Sequence, residues 1–347
     1  MTVRPSATRR RRSTPDVGAD LRELGVAVGH ATDEAGATGL TVVRGVDGPL
    51  RGGVAVFGRA TGGREIHSMA PEHVVNGRVD AVLLTGGSAY GLDAAAGVMR
   101  WLEEHGRGFA IGGGVVPIVP AAVIFDLAPL GRFDARPTAQ MAFDATARAT
   151  PTAIAEGSVG AGTGATVGKI AGAEHAMKGG FGCAMHRAAA SSVAAFAVVN
   201  ALGDVRDASG RILAGARSPA GGFMDAAKLL ASGIHRGREA PGAPALRNTT
   251  LGVVVSSIRL STLELTQLAR AAGAAFFRRI TPAGSAYDGD IVFALAPDDG
   301  PGGGERADPI AIEALAVAAL EEAIERAVRL ARGRDGIPGL ADTRDGD

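Results

Sequence analysis

Apolar residues along this chain fall into short runs set between glycine-rich turns and into longer alanine-rich stretches with helical spacing. The strand-like runs are Leu40-Thr41-Val42-Val43, Gly53 to Phe57, Ala81 to Leu84, Ser192 to Asn200, Leu251 to Ser257 and Ile291 to Leu295. Most read as buried on at least one face. Three helices carry start or stop signals. Leu92 to His105 places Leu92, Ala95, Met99 and Leu102 on one face and stops at Gly106. Ser261 with Glu264 three residues on makes a capping-box start for a helix running to about Phe277. The third runs from Pro309 to about Arg332, with Asp308 as N-cap and Pro309 at the first helical position. The class is mixed α and β.

The ends read differently from the middle. Residues 1–20, with a basic run from Arg9 to Arg12 among Pro, Ser and Thr, read as a solvated, disordered tail. From Gly333 the pattern fades, so that residues 336–347 read as a frayed tail after one domain spanning residues 21–335. Inside that domain, Arg236 to Pro244 is a polar, Pro/Gly-rich linker leading straight into Asn248-Thr249-Thr250 and a fresh apolar strand. An exposed loop delivers a hydroxyl residue to the mouth of a strand.

Composition narrows the function. With 347 residues and 46% of them hydrophobic, the chain can bury a large core. Acidic and basic side chains balance at 36 each, which points away from nucleic acid or an anionic membrane and toward a small, weakly charged ligand. A single cysteine, Cys183, excludes an intrachain disulfide, and no apolar run is long enough to span a bilayer. The stretch from Pro15 to Arg22 is polar where an export signal needs an apolar segment. A cytoplasmic protein is expected.

Several familiar motifs nearly match and fail. Gly162 to Lys169 resembles a phosphate loop, but Thr163 stands where its first glycine belongs and Ile170 where its magnesium-binding hydroxyl belongs. Gly160 to Ala165 fits a loose dinucleotide fingerprint with no carboxylate about 20 residues on to hold a ribose. Gly86-Gly87-Ser88-Ala89-Tyr90 would be a nucleophile elbow if Tyr90 were glycine. The seven histidines are scattered and Cys183 has no partner, so no metal is expected, and His30 and His67 read as structural.

Thr249 offers a chemistry of its own. If the bond before it breaks, the new α-amine, with a pKa of about 7.7–8.0, can act as base for the hydroxyl of the same residue. The break itself can proceed by attack of the Thr249 hydroxyl on the Asn248 carbonyl. An ordinary Asn-Thr turn is the competing reading of these residues by themselves.

A set of ordered blocks favours the first reading. Val26 to Asp33, Thr85 to Leu92, Val116 to Asp126, Gly164 to Lys169, Met177 to Gly180 and Val198 to Asp204 together resemble the DmpA-type L-aminopeptidase/D-amidase family. Asn248-Thr249-Thr250 with Asp288-Gly289-Asp290 is most similar to the nylon-oligomer (6-aminohexanoate oligomer) endohydrolases within it. The resemblance implies an α+β fold, a four-layer α/β/β/α sandwich shared with ornithine acetyltransferases. It also implies self-cleavage into residues 1–248 and 249–347, and assembly of the cleaved units as a homotetramer or larger.

On this resemblance Thr249 is the nucleophile, with Lys169 and Asn200 beside it. Lys169 favours a neutral amine on Thr249, Asn200 donates to the oxyanion, and Asp288 and Asp290 face Thr249 to orient it or to hold a substrate amine. Tyr90 and Phe125 are the expected substrate-binding residues. Phe125 departs from part of the family, the aminopeptidases and the nylon hydrolase carrying a tyrosine there. The implied activity is amide hydrolysis without a cofactor, on short peptides, D- or β-aminoacyl amides, or 6-aminohexanoate oligomers. An acyltransferase of the ornithine-acetyltransferase type and an uncleaved binding protein are the alternatives; the former cuts at an Ala-Thr junction, which this chain lacks.

Overall fold

A computed structural model describes residues 19–188, 191–233, 248–298 and 308–343. The basic run at the N-terminus and the linker from Arg236 to Pro244 lie outside the described residues.

Two sheets carry the fold. The first runs in the order Val26–Asp33, Thr38–Gly45, Ala81–Thr85, Ala121–Val123, Gly63–Arg64. The second runs Gly180–Ala188, Ser191–Asn200, Thr249–Ser256, Ile291–Pro297, Leu50–Val56, Arg78–Val79. Strand alternation sorts their side chains into separate layers. Val28, Val82 and Leu84 of the first sheet meet Phe181, Phe196, Leu251, Val253 and Phe293 of the second in a core between the sheets. On the far face of the first sheet, Leu40, Val42 and Leu83 pack on Val98, Leu102, Ala142 and Ala145 of the helices Ala95–Glu104 and Ala139–Ala147. On the far face of the second, Ala195, Ala197, Val254 and Val292 pack on Leu268, Phe276, Leu320 and Ile324. The result is the four-layer α/β/β/α sandwich. It also explains the runs of apolar residues without clean alternation, since the strands are buried on both faces.

The helix signals hold with corrections at the ends. Ser261 and Glu264 form the reciprocal capping box, but the helix from Thr262 ends at Ala272 and a second begins at Ala274. Gly273 sits between them, with the Phe57 ring where its Cβ would stand. The first turn of the Leu92 helix is 3-10, and α-helix starts only at Ala95. Asp308 caps the long helix through Ile310 N–H, and that helix ends at Arg329 rather than Arg332. Within the stretch expected to fray, Leu340–Thr343 form a 3-10 turn. Asp342 accepts the N–H groups of Gly333 at 2.9 Å and Gly339 at 2.8 Å, and Lys178 N–H donates to Pro338 at 2.9 Å. Long-range hydrogen bonds, not a local pattern, hold this segment. No helix among the described residues is long and apolar enough to cross a membrane.

Candidate active site

Thr249 opens a strand in the middle of the second sheet. That strand pairs antiparallel with Ser191–Asn200 and parallel with Ile291–Pro297. The antiparallel register sets Thr249 directly opposite Asn200, the last residue of its strand. A directly opposed pair shares one face of the sheet, so the topology brings together two residues 49 positions apart. On the other side, Asn248 and Asp288 form a parallel bridge ahead of the paired strands.

The bond between Asn248 and Thr249 is held by hydrogen bonds to its carbonyl. Gly289 N–H donates to the Asn248 carbonyl oxygen at 2.8 Å, and the Thr249 hydroxyl donates to the same oxygen at 2.6 Å. A Cβ on Gly289 would stand 2.7 Å from the Thr249 Oγ, so the close approach of this backbone requires glycine. Both Asn248 and Thr249 are buried, and the Asn248 side-chain amide finds no partner among the described residues.

Lys169 and Asn200 form one unit. The Lys169 ammonium donates to Asn200 Oδ1 at 2.7 Å and to the Thr166 carbonyl at 2.9 Å, while Thr166 N–H donates to the same Oδ1 at 3.1 Å. Asn200 Nδ2 gives one hydrogen to the Phe125 carbonyl at 3.0 Å, leaving the second of its two. Ahead of the lysine, Gly168 turns with φ +71, and a Cβ there would lie 2.1 Å from the Gly215 carbonyl carbon. Lys169 is half-buried as a residue, but its charged end is enclosed, and this burial lowers its pKa to about 7. The Asp288 carboxylate opposes the shift without cancelling it.

Asp288 and Asp290 are buried, and their hydrogen bonds run to backbone N–H groups and, for Asp288, also to the Ser285 hydroxyl, rather than to the Thr249 side chain. Asp290 accepts Thr250 N–H at 2.6 Å and Gly284 N–H at 2.9 Å; Asp288 accepts Ser285 N–H at 2.7 Å. Burial, with Asp288 alongside, raises the Asp290 pKa to about 7, and burial raises that of Asp288. It is Gly289, between the two acids, that lies against the Thr249 hydroxyl.

A cleft of about 270 Å³ opens at the bond, lined by Phe125, Ser88, Tyr287 and small apolar residues together with Asn248 and Thr249. Phe125 is where the sequence places a substrate-binding group. Tyr90 is not among the lining residues: the Arg136 guanidinium lies 3.5 Å above its ring, and Phe133 meets it edge to face. The Gly289 amide and the cleft residues Ser88 and Tyr287 go unsingled by sequence reasoning as parts of a Thr249 site. For Tyr287 and Gly289 the signal is adjacency to the two acids; for Ser88 it is the glycine pair before it, read as a failed elbow.

Residues 22–340 match peptidase family S58. An uncharacterized aminopeptidase of Mycobacterium tuberculosis is 42% identical, the match covering 82% of this chain and 81% of the relative. The 6-aminohexanoate-oligomer endohydrolase of Paenarthrobacter ureafaciens is 30% identical over 79% of this chain and 74% of its own. Among solved structures, a β-aminopeptidase of Burkholderia sp. superposes with a TM-score of 0.67 at 21% identity, covering 96% of this chain and 94% of that one. An L-aminopeptidase D-Ala-esterase/amidase of Ochrobactrum anthropi, described as a variant of the Ntn hydrolase fold, gives 0.66 at 20% identity over 92% and 89%. At such identities these two speak for the shared sandwich. The ordered sequence blocks, the sandwich and these matches agree, and the chain belongs to peptidase family S58 as an amide hydrolase.

Proposed function

We propose that this hydrolase cuts itself between Asn248 and Thr249 and then uses Thr249 as an N-terminal nucleophile. The observation that carries the reading is the geometry of that bond: its carbonyl oxygen already accepts the Gly289 N–H, and the hydroxyl that would attack it lies within hydrogen-bonding distance. In the first step the Thr249 oxygen bonds to the Asn248 carbonyl carbon, and its proton passes to Lys169, whose lowered pKa leaves it partly neutral near pH 7. The C–N bond breaks as the Thr249 nitrogen takes up a proton, and water opens the resulting ester. Asn248 leaves as a carboxylate, and Thr249 keeps a free amine and hydroxyl.

In turnover the same oxygen attacks a substrate amide, the α-amine carries the proton to the departing amine, and water releases the acyl group. Asn200 holds Lys169 and has one amide hydrogen left for the oxyanion. Asp290 pins the backbone after the nucleophile through Thr250 N–H, and Asp288 pins the Ser285 turn that leads to Gly289. No step calls for a cofactor. The substrates are linear amides with a free amino end, such as short peptides and D- or β-aminoacyl amides, with 6-aminohexanoate oligomers as the second candidate; the two named relatives support one each. We further infer a cytoplasmic homotetramer or larger. Its support is exposed apolar surface, including Phe109, Ile111 and Val116 on one hairpin and Val56 and Leu263 elsewhere.

Denaturing electrophoresis tests the cleavage. Mature protein should run as two chains of 248 and 347 − 248 = 99 residues; a single band near 34.8 kDa would remove the proposal.

A further inference from the structure

Hydrogen-bond donors are unevenly spread around the cleft. Ala60, Gly62, Ala89, Val123 and Phe125 bring no polar side-chain atom to its wall. The backbone donor at the bond itself, Gly289 N–H, is taken by the Asn248 carbonyl, and one of the two Asn200 amide hydrogens is taken by Phe125. Beyond Asn248 and Thr249 themselves, the lining residues with a side-chain donor are Ser88 and Tyr287.

Ser88 is held in an unusual way. Its φ of +53 lies in the left-handed region that favours glycine, yet the glycines are the two residues before it. The turn is clamped from the buried side. Ser88 N–H donates to the Ile124 carbonyl at 3.0 Å, and Gly87 N–H donates to Asp126 Oδ1 at 2.6 Å. Asp126 is fixed in turn by the Thr38 hydroxyl at 2.7 Å and fits tightly, since a Cβ on Gly86 would stand 2.1 Å from its Oδ2. Nothing among these contacts uses the Ser88 hydroxyl, which makes no hydrogen bond to another described residue. A strained backbone, anchored by a buried carboxylate, presents an unpartnered donor to the cleft that holds Thr249. Tyr287 is tied by its backbone, its N–H on the Ser285 Oγ at 3.2 Å, but the residue is 41% exposed and has no left-handed turn aiming it at the cleft.

We propose that the Ser88 hydroxyl donates a hydrogen bond to the carbonyl oxygen of the substrate amide attacked by Thr249, an assignment that rests on Thr249 being the nucleophile. When Oγ bonds to the carbonyl carbon, the C=O electron pair moves onto oxygen, and Ser88 stabilises that charge while keeping its own proton. Self-cleavage does not need it, because the Asn248 carbonyl already has the Gly289 donor.

The test compares Ser88→Ala and Ser88→Gly with wild type, following the self-cleavage time course and kcat and KM on the fastest-turned p-nitroanilide of L-, D- or β-alanine. Both variants should cleave themselves at the wild-type rate. Both should lose kcat on the order of a hundredfold, with little change in KM. Glycine relieves the φ strain that alanine keeps, so recovery of kcat in Ser88→Gly alone would make Ser88 a matter of backbone shape and overturn the assignment. It is equally overturned by kcat within about threefold of wild type in both variants, or by slowed self-cleavage in either. Thr249→Ala is the separate control: turnover persisting there would remove the nucleophile reading whatever the Ser88 variants do.

Discussion

Gly289 donates its backbone N–H to the carbonyl of Asn248, and the space above that donor is so small that a β-carbon on Gly289 would stand 2.7 Å from the Thr249 hydroxyl oxygen. The two facts are coupled, because the donor reaches the carbonyl through the gap that the missing side chain leaves. Gly289→Ala should therefore fold, since one methyl at a strand entrance leaves the three apolar layers intact, but push against the Thr249 hydroxyl and the Ala60 carbonyl, 2.8 Å away, and so displace the hydroxyl from the Asn248 carbonyl. Self-cleavage is expected to slow on the order of a hundredfold, the usual effect of losing one oxyanion donor. A time course of freshly folded protein on denaturing gels measures it, and wild-type cleavage would show that this amide does not assist.

Lys169 should impose a rising limb on the pH–activity profile. Its burial lowers its pKa to about 7, so its neutral form, the one that can take a proton, accumulates as pH rises through that value. Lys169→Arg keeps the charge but stays protonated at every accessible pH, and it should leave the chain uncut even at pH 9. Asn200→Asp places a negative charge where the neutral Oδ1 now accepts the ammonium, which favours protonated Lys169 and should move the limb to higher pH. Self-cleavage rate against pH for wild type and the Asp variant reads the shift directly; a limb that stays in place would separate Lys169 from the proton transfer.

Stability should depend on pH in two opposed windows. Asp290 has a folded-state pKa raised to about 7 from 3.8, so between those values the folded chain binds more protons than the unfolded one and stability falls as pH rises. Lys169 and Lys178, both lowered by burial to about 7 from 10.5, act the other way. Above pH 7 the unfolded chain binds more protons, and their contribution raises stability toward pH 10. Urea denaturation of uncut Thr249→Ala, which keeps a single chain, should show these slopes. Asp290→Asn should make the acidic slope shallower, Asp126 and Asp288, also raised by burial, keeping the rest, while leaving one buried N–H without its acceptor, a cost of about 1–3 kcal/mol.

How much of this is legible in the letters varies by residue. Ser261, Glu264 and Asp308 act within one turn of their helix, and their pattern suffices. The strands at Leu251 and Ile291 are equally plain, because burial on both faces makes them uninterrupted apolar runs. Thr249 facing Asn200 is a matter of register between distant segments, which no local spacing encodes, and the resemblance to a known family is what marks both residues. Tyr90 and Ser88, two positions apart, show the remaining limit. The turn at φ +53 sends Ser88 to the cleft and leaves Tyr90 under Arg136. Asp126, which fixes that turn, is one residue from Phe125 and gives no sign of its partner Gly87 in the sequence.

Phe125 gives the most direct handle on substrate choice. It lines the cleft, and its carbonyl accepts the Asn200 amide, so the backbone position is fixed at the cleft wall. Phe125→Tyr adds one hydroxyl at a position that lines the cleft, where water can reach it, so stability should change by less than about 1 kcal/mol. A second donor near the carbonyl should raise kcat for aminoacyl p-nitroanilides severalfold, while a substrate whose long acyl chain fills that space should be turned over less well. The ratio of kcat/KM for β-alanine p-nitroanilide to that for a linear 6-aminohexanoate oligomer should rise in the variant. An unchanged ratio would place the substrate chain away from Phe125 and leave specificity to the other lining side chains, Ser88 and Tyr287.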